Sequence, residues 1–196
     1  MEIKKLELNR RLFHMGFGLL IVLLFYFDIL TSLILLTVIT TSLILSVLSR
    51  KYKIPIIYWG LKTFERKENL KKFPGRGVIY YLAGTLFVIV FFQKDIALAS
   101  IMILALGDSF SHLVGRYYGT IRHPFSNKKF LEGAIAGIIF GFGGAVIFVK
   151  PLEAFLASLI AMVVEGFELK LGMERVDDNI VIPVVAAIVI WLLRLI

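Results

Sequence analysis

The stretch IALASIMILALGDSFSHLVGRYYG, residues 96–119, decides the fold. A membrane-spanning helix needs about 20 predominantly apolar residues. This stretch is long enough, yet Asp108 stands halfway along it. The apolar part before Gly107 is eleven residues, 96–106. At 1.5 Å per residue it rises only about 16 Å and cannot cross a bilayer alone. Asp108 is therefore expected inside the membrane profile or at a break in the helix. His112 and Arg116 share its face at four-residue spacing. Gly107 and Gly115 leave room for close backbone approach. Carboxylates within spans are costly and are usually functional. A hard cation takes carboxylate oxygens, and Mg2+ takes one or two of them plus phosphate oxygens. The alternative is a structural Asp108–Arg116 pair that holds helices together.

Outward from this stretch, the whole chain is lipid-soluble in character. Its 196 residues are 59% hydrophobic and 18% charged, with mean hydropathy +0.88. A soluble domain is nearer half apolar and a quarter charged. Seven segments read as spans: 12–27, 29–48, 78–92, 96–118, 131–149, 152–167 and 179–195. The fold class is thus all-α, a polytopic integral membrane protein of about seven transmembrane helices. It is read as a single transmembrane domain over residues 1–196. The start, MEIKKLELNRRLFHMGFG, lacks a small-residue cleavage site and reads as a retained cytosolic end. With the N-terminus inside, 19 of the 22 Lys and Arg residues fall on the inner side. Lys94, Lys150 and Arg194 remain outside. That asymmetry predicts N-in, C-out. Residues 52–68 differ, because Ile57, Tyr58, Leu61 and Phe64 recur at helical spacing opposite Lys62, Glu65 and Arg66. This segment reads as an amphipathic helix in the interface.

The absence of cysteine excludes disulfides and thiolate metal sites. The net charge of +8 is assigned to orientation and to anionic membrane lipids, so no nucleic acid is expected. The location is a cell membrane or ER-type membrane.

Further polar residues gather at the inner face. After the Asp108 span comes GRYYGTIRHPFSNKKFLEGAIAG, with Arg116, Arg122, Lys128 and Lys129 leading into Glu132-Gly133 at a helix start. Helix N-termini offer free N–H groups and a positive dipole to anions, and basic side chains beside them make a phosphate cradle. A basic loop obeying the positive-inside rule stays open as the other reading. The order is not that of a Walker A loop. Glu165 and Glu168 lie on one side of the sixth span. Asp177, Asp178 and Asn179 open the seventh, where one of them can cap the helix; two adjacent carboxylates exceed what a cap needs. Near the N-terminus, Arg10 and His14 are one turn apart, beside Glu7 and Arg11.

Four stretches resemble the dolichol kinase/phytol kinase family, multipass enzymes that phosphorylate isoprenoid alcohols with CTP. They are Glu7-Leu-Asn-Arg-Arg-Leu-Phe-His14, Phe73-Pro-Gly-Arg-Gly-Val-Ile-Tyr-Tyr81, GDSFSHLVGRYYG…NKKFLEG from Gly107 to Gly133, and VEGF…VDDNIVIP from Val164 to Pro183. The family's Lys-Lys-x-x-Glu-Gly nucleotide loop is matched by Lys128 to Gly133. Its Gly-Asp and Asp-Asp-Asn motifs are matched by Gly107-Asp108 and Asp177-Asp178-Asn179. Phe110 departs from the small residue the family often has there. Beside the larger eukaryotic dolichol kinases, the chain reads as a minimal catalytic core.

The resemblance implies CTP as phosphoryl donor, Mg2+ as cofactor and a long-chain isoprenoid alcohol as acceptor, with the site facing the cytosol. Asp108 with Asp177 or Asp178 is expected to hold the metal. Arg116, Lys128, Lys129, Gly133 and Asn179 are expected to bind the nucleotide. Asp108, Glu132 and His14 are the candidate proton acceptors, and Arg10, Arg11, His112 and Glu165 are further site candidates. Two other readings stand beside this one: a cytidylyltransferase making a CDP-activated lipid, and a non-enzymatic transporter or scaffold.

Overall fold

A computed structural model of the chain describes residues 2–52, 54–65, 70, 72–124, 126–167, 170–171 and 174–196. It is helical nearly throughout. The first helix, α1, covers Glu2–Tyr26, and α2 covers Ser32–Ser49. A short α3, Pro55–Phe64, precedes α4, Arg76–Phe91. The decisive stretch forms α5, Lys94–Met102, a π-helical turn, Ile103–Asp108, and α6, Ser109–Tyr118. There follow α7, Leu131–Ala145, α8, Pro151–Gly166, and α9, Asp178–Leu193.

Among the described residues, three helices are long and apolar enough to cross a membrane: Leu6–Tyr26, Ser32–Ser49 and Lys94–Tyr118. Three apolar helices are shorter, Arg76–Phe91, Leu131–Ala145 and Asp178–Leu193. The Lys94–Tyr118 rod is the centre of the fold. From Ile96 to Ala105 every side chain is buried. By contrast, α2 exposes Leu33, Ile44 and Val47 on its outer side. In lipid such exposure carries no hydrophobic penalty, so small residues and close packing must hold the bundle. Ala97, Ala99, Ala154, Ala157, Ala161, Ala186 and Ala187 are all fully buried where α5, α8 and α9 meet.

Helix positions match the apolar segments to within a few residues, except at the start. There α1 begins at Glu2 rather than near residue 12. A reading by apolar runs sees only the lipid-facing part of a helix. Lys4, Lys5, Leu6, Glu7, Leu8, Arg10 and Arg11 are mostly good helix formers and extend it. His14 and Arg11 are thereby fixed on a rigid rod. The amphipathic segment is also shorter than expected. Pro55 opens α3, with Ile54 held extended before it, and Glu65 ends it with an extended backbone. Residues 66–69 lie outside the described residues.

Two small ribbons depart from the all-helical expectation. Arg122–His123 pairs antiparallel with Ser126–Phe130. Lys170–Leu171 pairs with Glu174–Arg175. The first lies in the basic loop between α6 and α7 and carries Lys129 at a fixed position. Alternating backbone contacts of this kind leave no periodic signal over so few residues.

Candidate functional site

Asp108 closes the π-helical turn and is 2% exposed. Single π turns inside α-helices recur at functional sites. Here the turn coincides with a close helix crossing. A Cβ on Gly107 would stand 3.2 Å from the Gly137 carbonyl oxygen, a tight contact where α7 crosses. Gly133 makes a second such contact, where a Cβ would lie 3.0 Å from Gly115 Cα. The crossing of α6 and α7 thus accounts for Gly115 and Gly133 by packing. The structure does not present Gly133 to the cavity described next.

Around Asp108 the structure gathers residues from distant parts of the chain. Arg11 Nη1 donates a short hydrogen bond to Asp108 Oδ2. His14 Nε2 lies 3.4 Å from the same oxygen. His112 Nε2 is 3.3 Å from Asp108 Oδ1 and 3.7 Å from Glu165 Oε1. Lys129 Nζ then links Glu165 to the start of α9. It donates to Glu165 Oε1 at 2.8 Å, to the Glu165 carbonyl at 2.5 Å and to Asp178 Oδ2 at 3.3 Å. Arg116 is one turn beyond His112 and does not pair with Asp108. Arg11, arriving from α1, takes the place that the alternative reading gave to Arg116.

A cavity of about 1020 Å³ opens on this group. Arg10, Arg11, His14, Asp108, His112 and Arg116 line it from α1 and the central rod. Lys129, Asp177, Asp178 and Asn179 line it from the loops. Leu61 and Phe64 of α3 cover it, with Phe64 stacked on Phe13 at 4.6 Å. Arg10 pairs with Glu7 at 3.3 Å.

Asp177 caps α9, accepting from the Asn179 N–H at 3.2 Å. Arg76 Nε faces its other oxygen at 3.6 Å. Burial holds the Asp177 carboxyl above its ordinary pKa; the Asn179 N–H opposes this, and the neighbouring Asp178 adds to it. The Asn179 side chain donates to the Gly77 carbonyl at 3.3 Å.

Glu132 is not brought into the group. Its Oε1 accepts from the Thr120 hydroxyl, from the Thr120 N–H at 2.9 Å and from the Ile121 N–H at 3.0 Å. It ties the basic loop to the first turn of α7. The Lys128 side chain and Glu168 lie outside the described residues.

Several buried polar atoms around Asp108 have no hydrogen-bond partner among the described residues. They are Asp108 Oδ1, His14 Nε2 and Arg11 Nε. Buried polar groups are nearly always satisfied in folded proteins. Orphans concentrated at a cavity wall point to a ligand. Asp108, His112 and Glu165 each offer one ligand atom, all within 4.8 Å of one another. Two carboxylate oxygens with space beside them suit Mg2+, which keeps its other positions for water or phosphate. Glu165 is the carboxylate nearest to Asp108 in this set and also pairs with Lys129, while Asp177 faces Arg76 and Asp178 faces Lys129. No sequence spacing links Asp108 to Glu165, because the two stand on different helices. Arg76 lies in the Phe73–Tyr81 stretch, but its position beside Asp177 appears only in the fold.

No family model matches the chain, and no solved structure matches it. Curated relatives do. The CTP-dependent diacylglycerol kinase 1 of Eremothecium gossypii is 30% identical over 138 residues, 57% of this chain and 42% of the relative. The probable phytol kinase 2, chloroplastic, of Glycine max is 33% identical over 135 residues, 60% of this chain and 45% of the relative. The CTP-dependent diacylglycerol kinase 1 of Saccharomyces cerevisiae is 27% identical across 95% of this chain and 73% of the relative. The chain spans less than half the length of the first two. The chain is therefore similar, at modest identity, to proteins named CTP-dependent diacylglycerol kinase and phytol kinase.

Proposed function

We propose that the chain is a CTP-dependent kinase that phosphorylates the hydroxyl of a membrane lipid alcohol. The observation that carries this reading is the buried Asp108 carboxylate, whose Oδ1 makes no hydrogen bond among the described residues and has the His112 imidazole 3.3 Å away, at a cavity that also presents Lys129 and Arg116. Phosphoryl transfer asks a protein mainly for positioning and charge neutralisation. In this reading Lys129 and Arg116 face the phosphates of CTP. Asp108 and Glu165 would hold Mg2+, which when bound neutralises phosphate charge.

The acceptor hydroxyl oxygen forms a bond to the γ-phosphorus while the bond from that phosphorus to the bridging oxygen breaks. CDP leaves with the electron pair. The alcohol proton passes to His14 Nε2, and Asp108 at 3.4 Å compensates the imidazolium that results. Arg11, donating to Asp108 Oδ2, holds the carboxylate in place.

Seven membrane-crossing rods with the N-terminus inside complete the proposal. Its support is the Lys and Arg bias and the cavity, whose lining comes from the segments read as inner. A lipid alcohol at headgroup level and a soluble nucleotide both reach such a cavity. Dolichol- and polyprenol-type alcohols, expected from the motifs, share this chemistry with phytol and diacylglycerol, the alcohols in the relatives' names.

The test is purified protein in detergent with Mg2+, a panel of these alcohols, and CTP or ATP labelled in the γ-phosphate. Lipid monophosphate formed from CTP is the expected product. A lipid that gains CMP instead overturns the kinase reading in favour of a cytidylyltransferase.

A further inference from the structure

The cavity extends beyond the ionic group to a wall built by α2. Ser42, Leu45, Ser46 and Ser49 line it there. Along α2 these residues sit at helical spacing on the side turned away from Leu33, Ile44 and Val47. This helix packs mainly on α4 and lies apart from the central rod. Its wall is therefore a second region of the cavity, distinct from the Asp108 group.

The hydroxyls of α2 are not alike. Thr37 donates to the Leu33 carbonyl at 2.9 Å, Thr40 to the Leu36 carbonyl at 2.9 Å, and Ser49 to the Ser46 carbonyl at 2.9 Å. Bonding back to the helix is the ordinary way for a hydroxyl to be satisfied in lipid. Ser46 is 5% exposed, and its Oγ has no hydrogen-bond partner among the described residues. A wall meant only for hydrocarbon would carry an apolar residue there, since a buried hydroxyl without a partner is unfavourable.

We infer that the α2 wall seats the lipid acceptor and that Ser46 Oγ donates to an acceptor oxygen other than the one phosphorylated. This rests on the lipid-kinase reading above and deepens it. An isoprenoid alcohol has one oxygen, which must stand at the Asp108 group. A diacylglycerol has ester carbonyl oxygens close to its free hydroxyl. With its hydroxyl at His14 and Asp108, its ester linkage would extend through the same cavity toward Ser46. The Ser46 contact thus selects glycerolipid alcohols over isoprenoid alcohols. Sites that hydrogen-bond a substrate group discriminate against analogues that lack it.

The experiment compares wild type, Ser46→Ala and Ser46→Thr in mixed micelles. The acceptors are diacylglycerol, its dialkyl ether analogue without carbonyls, and phytol. The equilibrium retention of each labelled lipid on the purified protein is measured in parallel. For Ser46→Ala, KM and retention for diacylglycerol are expected to weaken about tenfold, with phytol unchanged. Ser46→Thr keeps the hydroxyl and restores diacylglycerol. On wild type the ether analogue behaves as diacylglycerol does on Ser46→Ala. Equal losses for phytol and diacylglycerol, or none for diacylglycerol, overturn the assignment. If no lipid is phosphorylated, the kinase reading falls. Retention then still decides Ser46: a diester held no better than the diether overturns it.

Discussion

The chain has an ionic cluster at each end of its central helices, and the two are built differently. At the far end, Arg194 Nη2 donates to Asp95 at 2.6 Å and to Glu153 at 3.2 Å, while Nη1 donates to Gln93 at 3.1 Å. Lys94 pairs with Asp28 at 2.5 Å. Each nitrogen of the guanidinium has a partner, and the Asp95 and Asp28 side chains remain 42% and 80% exposed. This cluster joins the α4–α5 turn, the start of α8 and the end of α9, and the 1020 Å³ cavity does not reach it. At the near end, Asp108 and Glu165 are almost wholly buried, three neighbouring polar atoms have no hydrogen-bond partner among the described residues, and the cavity opens on Asp108, Arg11 and His14. A closed ion-pair cluster holds helices in place. A buried cluster with orphaned atoms is held by helices in place of solvent, and that is the arrangement a ligand completes.

Substitutions at the two ends separate these roles. Asp108→Asn preserves shape and an acceptor for Arg11 but removes the charge. Lipid-kinase turnover should fall at least about a hundredfold, with the elution volume of the purified protein unchanged. Retained turnover would make the near end as structural as the far one.

Glu165→Gln leaves Lys129 bonded to Asp178 and to the Glu165 carbonyl. It should lower kcat/KM for CTP about tenfold, or ~1.4 kcal/mol, through the loss of one carboxylate beside Asp108. Titrating Mg2+ against activity checks the cause, since the half-saturating concentration should rise.

Arg194→Ala should do the reverse. It leaves the buried Glu153 without its guanidinium and should cost stability of about 1–3 kcal/mol, read as a lower Tm. Its kcat and KM should stay within about twofold of wild type, because nothing at the near end is touched. A loss of activity at unchanged Tm would break the division between the ends.

The smallest effect concerns Asp177. Burial raises its pKa, so the folded state disfavours its ionised form. Stability from the protonated acid is present at low pH and is lost as pH rises through the raised value. Asparagine also caps helices. Asp177→Asn should therefore flatten the fall in Tm above about pH 4, by less than about 1 kcal/mol. Parallel Tm curves for variant and wild type would show that Arg76 and the Asn179 N–H already offset the burial.

Much of this was legible in sequence. Apolar runs of lipid-spanning length placed the helices, because in lipid every backbone polar group must bond within its own segment. Asp108 stood out because a carboxylate has no cheap place within such a run. Lys129 and Asp178 stood out by motif. What the sequence could not carry were the relations between helices. The π turn that sets the aim of Asp108, the arrival of Arg11 from α1, and Glu165 as its carboxylate neighbour all depend on how closely α7 crosses at Gly107 and Gly133. Glu132 reads like Glu165 in sequence, yet one ties down a loop and the other is buried against Lys129 and His112. Ser46 reads like Ser49, yet only Ser46 lacks a partner. Side-chain chemistry and apolar length are local properties, so residues in order determine them. Which polar atoms remain unpaired is decided only when distant helices have packed.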